Sequence, residues 1–378
     1  MRDLGPVVRD AWRLLTPYFL RSGEKRFALG MLAGIVVLNI AQTELGVLYT
    51  FWNNLVFDSI QRKDEATFLR LFFGWLRTPG GWIMPGFLIF VVVFIALAVM
   101  TVLLTNYLQI RWRNWMFDDF TRRWLSDEAH YRLSVSADAE GVPTDNPDQR
   151  LSDDIAAFCG AGANAQGSDN TLDLAIGLMN AIVSLVSYIA LLWVLSRGVT
   201  LFGAHVPGGL VWVALLFSIG STALTFWLGK RLIPLYFMQQ RYEADLRFGL
   251  IRIRENAEGI ALHRGEGEER LGLLGAFAAV RGNFLGLLRR LMLVGGARVT
   301  YDQVAGVLPL LVIAPLYFTG KATLGVMMQV NQAFGAVQGS FSWFADNFTT
   351  LARWRATVGR LATFDRAIEA ARTAGSGF

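Results

Sequence analysis

The residues best placed to do chemistry here are polar groups set in otherwise apolar runs, and the chemistry they suit is non-covalent. Asn331, Gly335, Gln338, Ser342 and Asp346 are spaced 4, 3, 4 and 4 residues apart, which keeps them on one face of a helix. Such a stripe either lines a watery cavity or packs closely on a neighbouring helix through its small residues. Amides such as Gln338 need water or a partner inside a bilayer, which favours the cavity. A second face, Asn39, Thr43, Gly46, Thr50 and Asn53, recurs in the first apolar run, and Asn39 and Thr43 join Asn331, Gln338, Ser342 and Asp346 as the substrate-cavity residues. Glu44 lies off that face. A charge in hydrocarbon costs roughly 2.5 to 3.5 kcal/mol on insertion scales, so Glu44 is either a protonated or paired structural residue or carries a coupling or substrate role, and Glu44 and Asp302 are the proton-coupling candidates should transport be proton-driven. Asp302 stands four residues after Arg298, and the two most simply neutralise each other.

Covalent chemistry finds no support. The sequence has no G-x-x-x-x-G-K-[ST] phosphate loop, so no cofactor is expected in this chain, and ATP and Mg would enter only through a partner ATPase domain. Gly160-Ala-Gly162-Ala-Asn-Ala165 matches the loose dinucleotide pattern but follows a polar helical stretch instead of a strand. One cysteine, Cys159, excludes an internal disulfide framework, and the three histidines have no metal-ligand spacing. Without a nucleophile and base pair or a metal set, the chain is not an enzyme by itself.

The elements that must position these groups follow from composition. Hydrophobic residues make up 53% of the 378 and charged residues only 17%, which is too apolar for an ordinary soluble domain and marks an all-α membrane protein. A net charge of +5 matters less here than its placement, and no nucleic-acid partner is expected. Six segments, 27 to 52, 82 to 108, 171 to 196, 208 to 229, 291 to 318 and 323 to 345, reach the ~20 residues a bilayer requires. Residues 4 to 20 mix aromatic and aliphatic groups with Arg9, Asp10 and Arg13, as suits a helix lying in the interface, and no cleavable signal peptide is evident. Trp52, Trp82, Trp112 and Tyr317, near span ends, read as interfacial anchors.

All but six of the 35 Lys and Arg fall before residue 27, in 109 to 170, in 230 to 298 or after 346. The positive-inside rule then puts both termini and the two long polar interruptions in the cytoplasm. Those interruptions alternate charge at helical density, so the spans should continue into water as long stalks. Within the first, Asp145 to Ile155 reads as the start of the helix that returns to the bilayer. Asn146 is its N-cap, Pro147 its first residue, Asp148 complements the dipole and Gln149 reaches back to the cap.

These motifs carry a resemblance. Asn146-Pro-Asp-Gln-Arg150 with Asp153-Asp154-Ile155, Gln109-Ile-Arg-Trp-Arg113, Trp124-Leu-Ser126, Glu255-Asn-Ala-Glu258-Gly-Ile-Ala261, Arg264-Gly-Glu266, Gly325 to Phe334 and Leu351 to Ala356 together resemble the membrane domain of SbmA/BacA and ABCD-type transporters. The resemblance implies an N-terminal elbow helix over 1–22, a six-helix exporter-type transmembrane domain over 23–365, and a tail over 366–378 with no nucleotide-binding domain. It further implies a homodimer with helices exchanged between protomers around an alternating-access cavity, moving peptides or similar amphipathic or hydrophilic solutes. Asn146, Pro147, Asp148, Gln149 and Arg150 in one turn-round, and Glu255, Glu258, Arg264, Gly265 and Glu266 in the other, would couple it to an ATPase that is supplied separately or missing from this chain. Alternatives are a stand-alone proton-coupled peptide importer and a non-transporting membrane scaffold.

Overall fold

A chain this apolar must satisfy its backbone within each segment, and helices do so. The computed structural model describes residues 4–77, 81, 83–140, 146–160, 170–197, 200–201 and 204–375. In order come α1 (Leu4–Thr16), a π-turn at Pro17–Arg21, α2 (Lys25–Arg62), α3 (Glu65–Phe73), a ribbon of β1 (Trp75–Arg77) and β2 (Ile83–Pro85), and α4 (Phe87–Leu125). Then follow α5 (Ala129–Glu140), the short α6 (Pro147–Gln149), a π-turn at Arg150–Asp154, α7 (Ile155–Cys159), α8 (Thr171–Leu195), and a ribbon of β3 (Thr200–Leu201) and β4 (Ala204–His205). The remainder is α9 (Gly209–Gly229), α10 (Leu232–Glu255), α11 (Ala257–His263), α12 (Glu266–Phe318), α13 (Leu324–Asp346) and α14 (Phe348–Gly375). Both ribbons are antiparallel, pairing Leu76 with Met84 and Leu201 with Ala204.

Five helices among the described residues are long and apolar enough to cross a membrane: Lys25–Arg62, Phe87–Ser134, Thr171–Leu195, Gly209–Glu255 and Glu266–Phe318. The sixth expected span, α13, stands outside that set because Gln329, Asn331, Gln332 and Gln338 dilute its apolar character. It nonetheless packs against α2, α8, α9 and α12. Its N-terminal end is seated on α2 by hydrogen bonds. The amides of Leu324 and Gly325 donate to Gln61 Oε1 at 2.8 Å and Asp58 Oδ1 at 2.9 Å. Asn54 donates to Gln329 at 2.7 Å, and Gln329 donates to Thr50 at 3.2 Å. A Cβ at position 325 would overlap the Asn54 carbonyl, so glycine is what permits this approach. At its other end α13 runs almost without interruption into α14. Only Asn347 intervenes, its amide donating to the Trp343 carbonyl at 3.0 Å and its own carbonyl accepting from Leu351 at 2.8 Å.

The turn-round at 146–160 departs from the sequence reading. Asn146 supplies no side-chain cap, although its carbonyl accepts from the Arg150 amide at 3.1 Å, and Asp145 lies outside the described residues. The helix begun there is short, because a π-turn and then Gly160, at φ 97°, end it. The helix that starts the next span is α8, whose true N-cap is Asn170, accepting from the Asp173 amide at 2.9 Å. Gly160 fits against Asn170 and Gln109 so closely that a Cβ would sit 2.6 Å and 2.8 Å from their side chains.

This end of the bundle has its own core. Ala11, Leu14, Tyr18, Trp112, Met116, Ile155, Phe158, Cys159, Leu361 and Phe364 are buried together, so α1 with the π-turn after it, α4, α7 and α14 form one packed unit. Trp112 is therefore no interfacial anchor. Neither is Trp52, 3% exposed, which donates to the Leu71 carbonyl at 2.9 Å amid Tyr49, Phe72 and Phe87. Trp82 lies outside the described residues. Two buried carboxylates complete the unit. Asp154 accepts from Arg150 at 2.7 Å and from Arg360 at 2.5 and 2.9 Å. Asp365 meets Arg13 at 3.0 Å and Arg123 at 2.6 Å. Each removes from water a charge that hydrocarbon alone could not accept, and ties α14 to the π-turn before α7 or to α1 and α4.

Two outcomes follow. Burial pushes the Cys159 thiol well above its ordinary range, so maleimide at pH 8 should label the folded protein hardly at all and the detergent-unfolded protein fully; rapid labelling of the folded protein would contradict the packing. Asp154→Asn breaks a buried pair and should cost about 3 kcal/mol, whereas Arg122→Ala, removing an exposed pair with Asp118, should cost under ~1 kcal/mol. Thermal unfolding of the purified protein compares them.

Candidate functional site

Between α9, α12 and α13 lies a cavity of about 280 Å³ lined by Ser221, Thr222, Thr225, Arg298, Asp302, Gly335, Gln338, Gly339, Ser342 and Asp346. The volume falls near the lower end of small-molecule sites. Each wall follows from helical spacing. Arg298 and Asp302 are one turn apart on α12, and Gln338, Ser342 and Asp346 succeed one another every four residues on α13. Gly335 and Gly339 leave the α13 wall low, since a Cβ at either would touch nothing within 4 Å.

α12 is fixed beside this cavity by Tyr301, which donates its hydroxyl to the Phe217 carbonyl of α9 and stacks on the Phe217 ring with centroids 3.9 Å apart. That contact aims the neighbouring turns carrying Arg298 and Asp302 between α9 and α13.

The charges do not pair as the sequence suggested. Arg298 reaches across to Asp346 of α13 at 2.8 Å, and Asp302 has no ion pair among the described residues. The reason is geometric: an i,i+4 partner competes with whatever a packed neighbour offers, and α13 offers a carboxylate at the same level. With side chains 57% and 39% exposed, the Arg298–Asp346 bond contributes about 0 to 1 kcal/mol and is easily opened.

The other expected cavity residues go elsewhere. Asn39 donates to the Ile35 carbonyl at 2.8 Å and accepts from Asn180 of α8 at 2.9 Å, while Thr43 donates to the Asn39 carbonyl at 3.1 Å. Their face therefore joins α2 to α8 and does not line this cavity. Glu44 is exposed and accepts from Ser187 at 2.7 Å. Asn331 sits one turn from Gly335 and is not among the lining residues. Ser221, Thr222 and Thr225 were missed, although their spacing alone could have shown a polar face in the fourth apolar run.

The proposed coupling residues occupy two tips at one end of the bundle, where alternate crossings of the helices return the chain. On the first, Asn146, Asp148 and Gln149 are exposed, Pro147 is half-buried and Arg150 turns inward to Asp154. On the second, α10 and α12 form a long hairpin whose end is bent at Asn256 and closed at Arg264, in left-handed conformation at φ 54°. Glu255, Glu258, Arg264 and Glu266 are exposed there, and the Gly265 amide donates to the Ile260 carbonyl at 2.9 Å. Of Gly160 to Ala165, residues 161–165 lie outside the described residues. No group of three or more metal-ligating side chains occurs among the described residues.

Comparison with known proteins agrees with this architecture. The family described as ABC transporter transmembrane region 2 matches residues 14–318. The ABC transporter D family member 2, chloroplastic, of Arabidopsis thaliana is 32% identical over 363 residues, 96% of this chain and 46% of that protein. The inner membrane ABC transporter ATP-binding protein YddA of Escherichia coli is 28% identical over 361 residues, 94% of this chain and 60% of that protein. An ABC transporter ATP-binding protein of Haemophilus influenzae is 28% identical over 353 residues, 93% and 56% respectively. The chain spans about half the length of these relatives. The resemblance to ABCD-type membrane domains is thus borne out: the chain is a membrane transporter domain that belongs to the ABC transporter transmembrane region 2 family.

Proposed function

We propose that this chain is the solute pathway of a homodimeric, alternating-access transporter of a bacterial inner membrane, with termini in the cytoplasm and energy from an ATPase that docks on the two tips. The observation that carries the reading is the polar cavity between α9, α12 and α13, since an Arg, two Asp, a Gln and hydroxyls around open space suit a polar solute better than mere helix packing. That space also argues against a non-transporting scaffold. The substrate class remains peptides or similar amphipathic solutes.

A second copy is supported by the α10–α12 hairpin. Phe237, Phe248, Leu271, Phe277 and Met292 are each more than half exposed, and α10 packs chiefly on α12. Exchange of this arm between protomers would cover that surface. An ATPase partner is supported by the relatives whose names include ATP-binding protein and of which this chain covers about half. A proton-driven, SbmA/BacA-like mode is favoured by one observation, the carboxylate of Asp302 facing the cavity without an ion pair among the described residues.

The test is uptake of a fluorescent peptide into liposomes carrying the chain, with a candidate ATPase and Mg-ATP in one arm and an inward proton gradient in the other. Uptake should need one of the two, and uptake needing neither defeats both energy schemes. In the ATP-driven arm, Glu258→Ala with Arg264→Ala should lower the rate by roughly tenfold, about 1.4 kcal/mol, without lowering the melting temperature, because both side chains are exposed. Glu44→Gln should leave that arm unchanged.

A further inference from the structure

Next to the charged cavity lies an apolar one of about 410 Å³, lined by Ser218, Ile219, Thr222, Ala223, Phe226 and Phe341. Thr222 lines both, so the two adjoin between α9 and α13. Their walls differ in kind. One offers carboxylates, an amide and hydroxyls; the other offers two phenyl rings and aliphatic groups. In the wall of the apolar cavity, one turn from the shared Thr222, Ser218 is 2% exposed and its hydroxyl is buried without a hydrogen-bond partner, an orphan group that a polar atom of a bound molecule would satisfy.

Charge decides which molecule fits. Arg298 is neutralised by Asp346 at 2.8 Å, and Asp302 lines the same cavity with no ion pair among the described residues. The polar half therefore holds one carboxylate in excess. Asp302 is exposed and the Arg298–Asp346 bond is a screened one, so the excess acts through its net sign: one negative charge over the three groups favours a cation over an anion. Phenyl rings nearby add no penalty for a cation, since their faces are electron-rich.

We infer that the joined cavities form a site for an amphipathic organic cation, its amine or guanidinium group at Asp302 and its apolar part between Phe226 and Phe341. This inference rests on the transporter reading for its biological use but concerns binding alone. It excludes anionic amphipaths as the preferred ligands of this site, a distinction that the polar stripe alone does not make.

The experiment is equilibrium fluorescence binding to the full chain in lipid nanodiscs, with empty nanodiscs as the baseline. The probes are dansylcadaverine, a primary amine on an apolar fluorophore, and dansyl-6-aminohexanoate, which carries a carboxylate instead. The cation should bind at least ~10-fold more tightly. Asp302→Asn should reduce that preference to within about threefold, and Phe341→Ala should weaken both probes alike. Shielding of Cys159 from maleimide checks that each variant is folded. Equal or tighter binding of the anion, or an undiminished preference in Asp302→Asn, overturns the inference. Cation-selective binding without transport in liposomes supports the site while removing the transporter reading. Transport of both probes at equal rates and with equal affinity supports transport and removes the site.

Discussion

The structure depends on where a membrane-embedded helix can put amide side chains. α13 carries Gln329, Asn331, Gln332 and Gln338, more hydrogen-bonding groups than a surface facing lipid accepts. A position surrounded by protein answers this in part: α2, α8, α9 and α12 provide one, although Gln332 Oε1 is buried there without a hydrogen-bond partner. Gln329 is satisfied by Asn54 and Thr50, which fixes the upper part of α13 to α2. Gln338 instead faces open space with Ser342 and Asp346. The polar helix is thus held by hydrogen bonds at one end and left facing a cavity at the other. The arrangement of its neighbours follows from serving both halves.

Away from that helix, the chain separates two kinds of packing. The unit of α1, α4, α7 and α14 is aromatic and ionic, with rings such as Tyr18, Trp112 and Phe158 closed over by carboxylates bound to arginine. The α10–α12 hairpin is the opposite, two long helices held mainly to each other with large apolar groups in the open. One tip thus belongs to a rigid body and the other to an arm.

Much of the helical layout was legible in the sequence. The reading 171 to 196 matches Thr171–Leu195, because hydrophobicity there ends where the helix does, and 208 to 229 matches Gly209–Gly229, beyond which a turn at Lys230 and Arg231 leads into the polar α10. The readings 27 to 52 and 82 to 108 fall short of Lys25–Arg62 and Phe87–Leu125, since these helices outrun their apolar portions, as the charge periodicity implied for the second. Site residues were legible mainly on α13, where one helix carries Gln338, Ser342 and Asp346, and at Asp302 of α12, whereas Asn331 of α13 does not line the cavity. Arg298 with Asp302, Asn39 with Thr43, and Asn146 as a cap were all read from local spacing. In each case a residue distant in sequence, Asp346, Asn180 or Asn170, took the role or the partner. Trp52 and Trp112 misled for the same reason: nearness to a span end says nothing of what packs over it.

The near-continuity of α13 and α14 has a mechanical consequence. With only Asn347 between them, a tilt of one passed to the other would make the pair a lever with its fulcrum one residue beyond Asp346. The longer arm, α14, has 28 residues, or about 42 Å at 1.5 Å per residue. A tilt of about 5° at the fulcrum would sweep its far end through roughly 4 Å, while the cavity wall beside it shifts by a small fraction of that. Because Asp154 and Asp365 bind α14 to the packed aromatic unit, the sweep would be inherited by the first tip. A displacement too small to disturb the cavity's hydrogen bonds would be magnified to the size of a side chain.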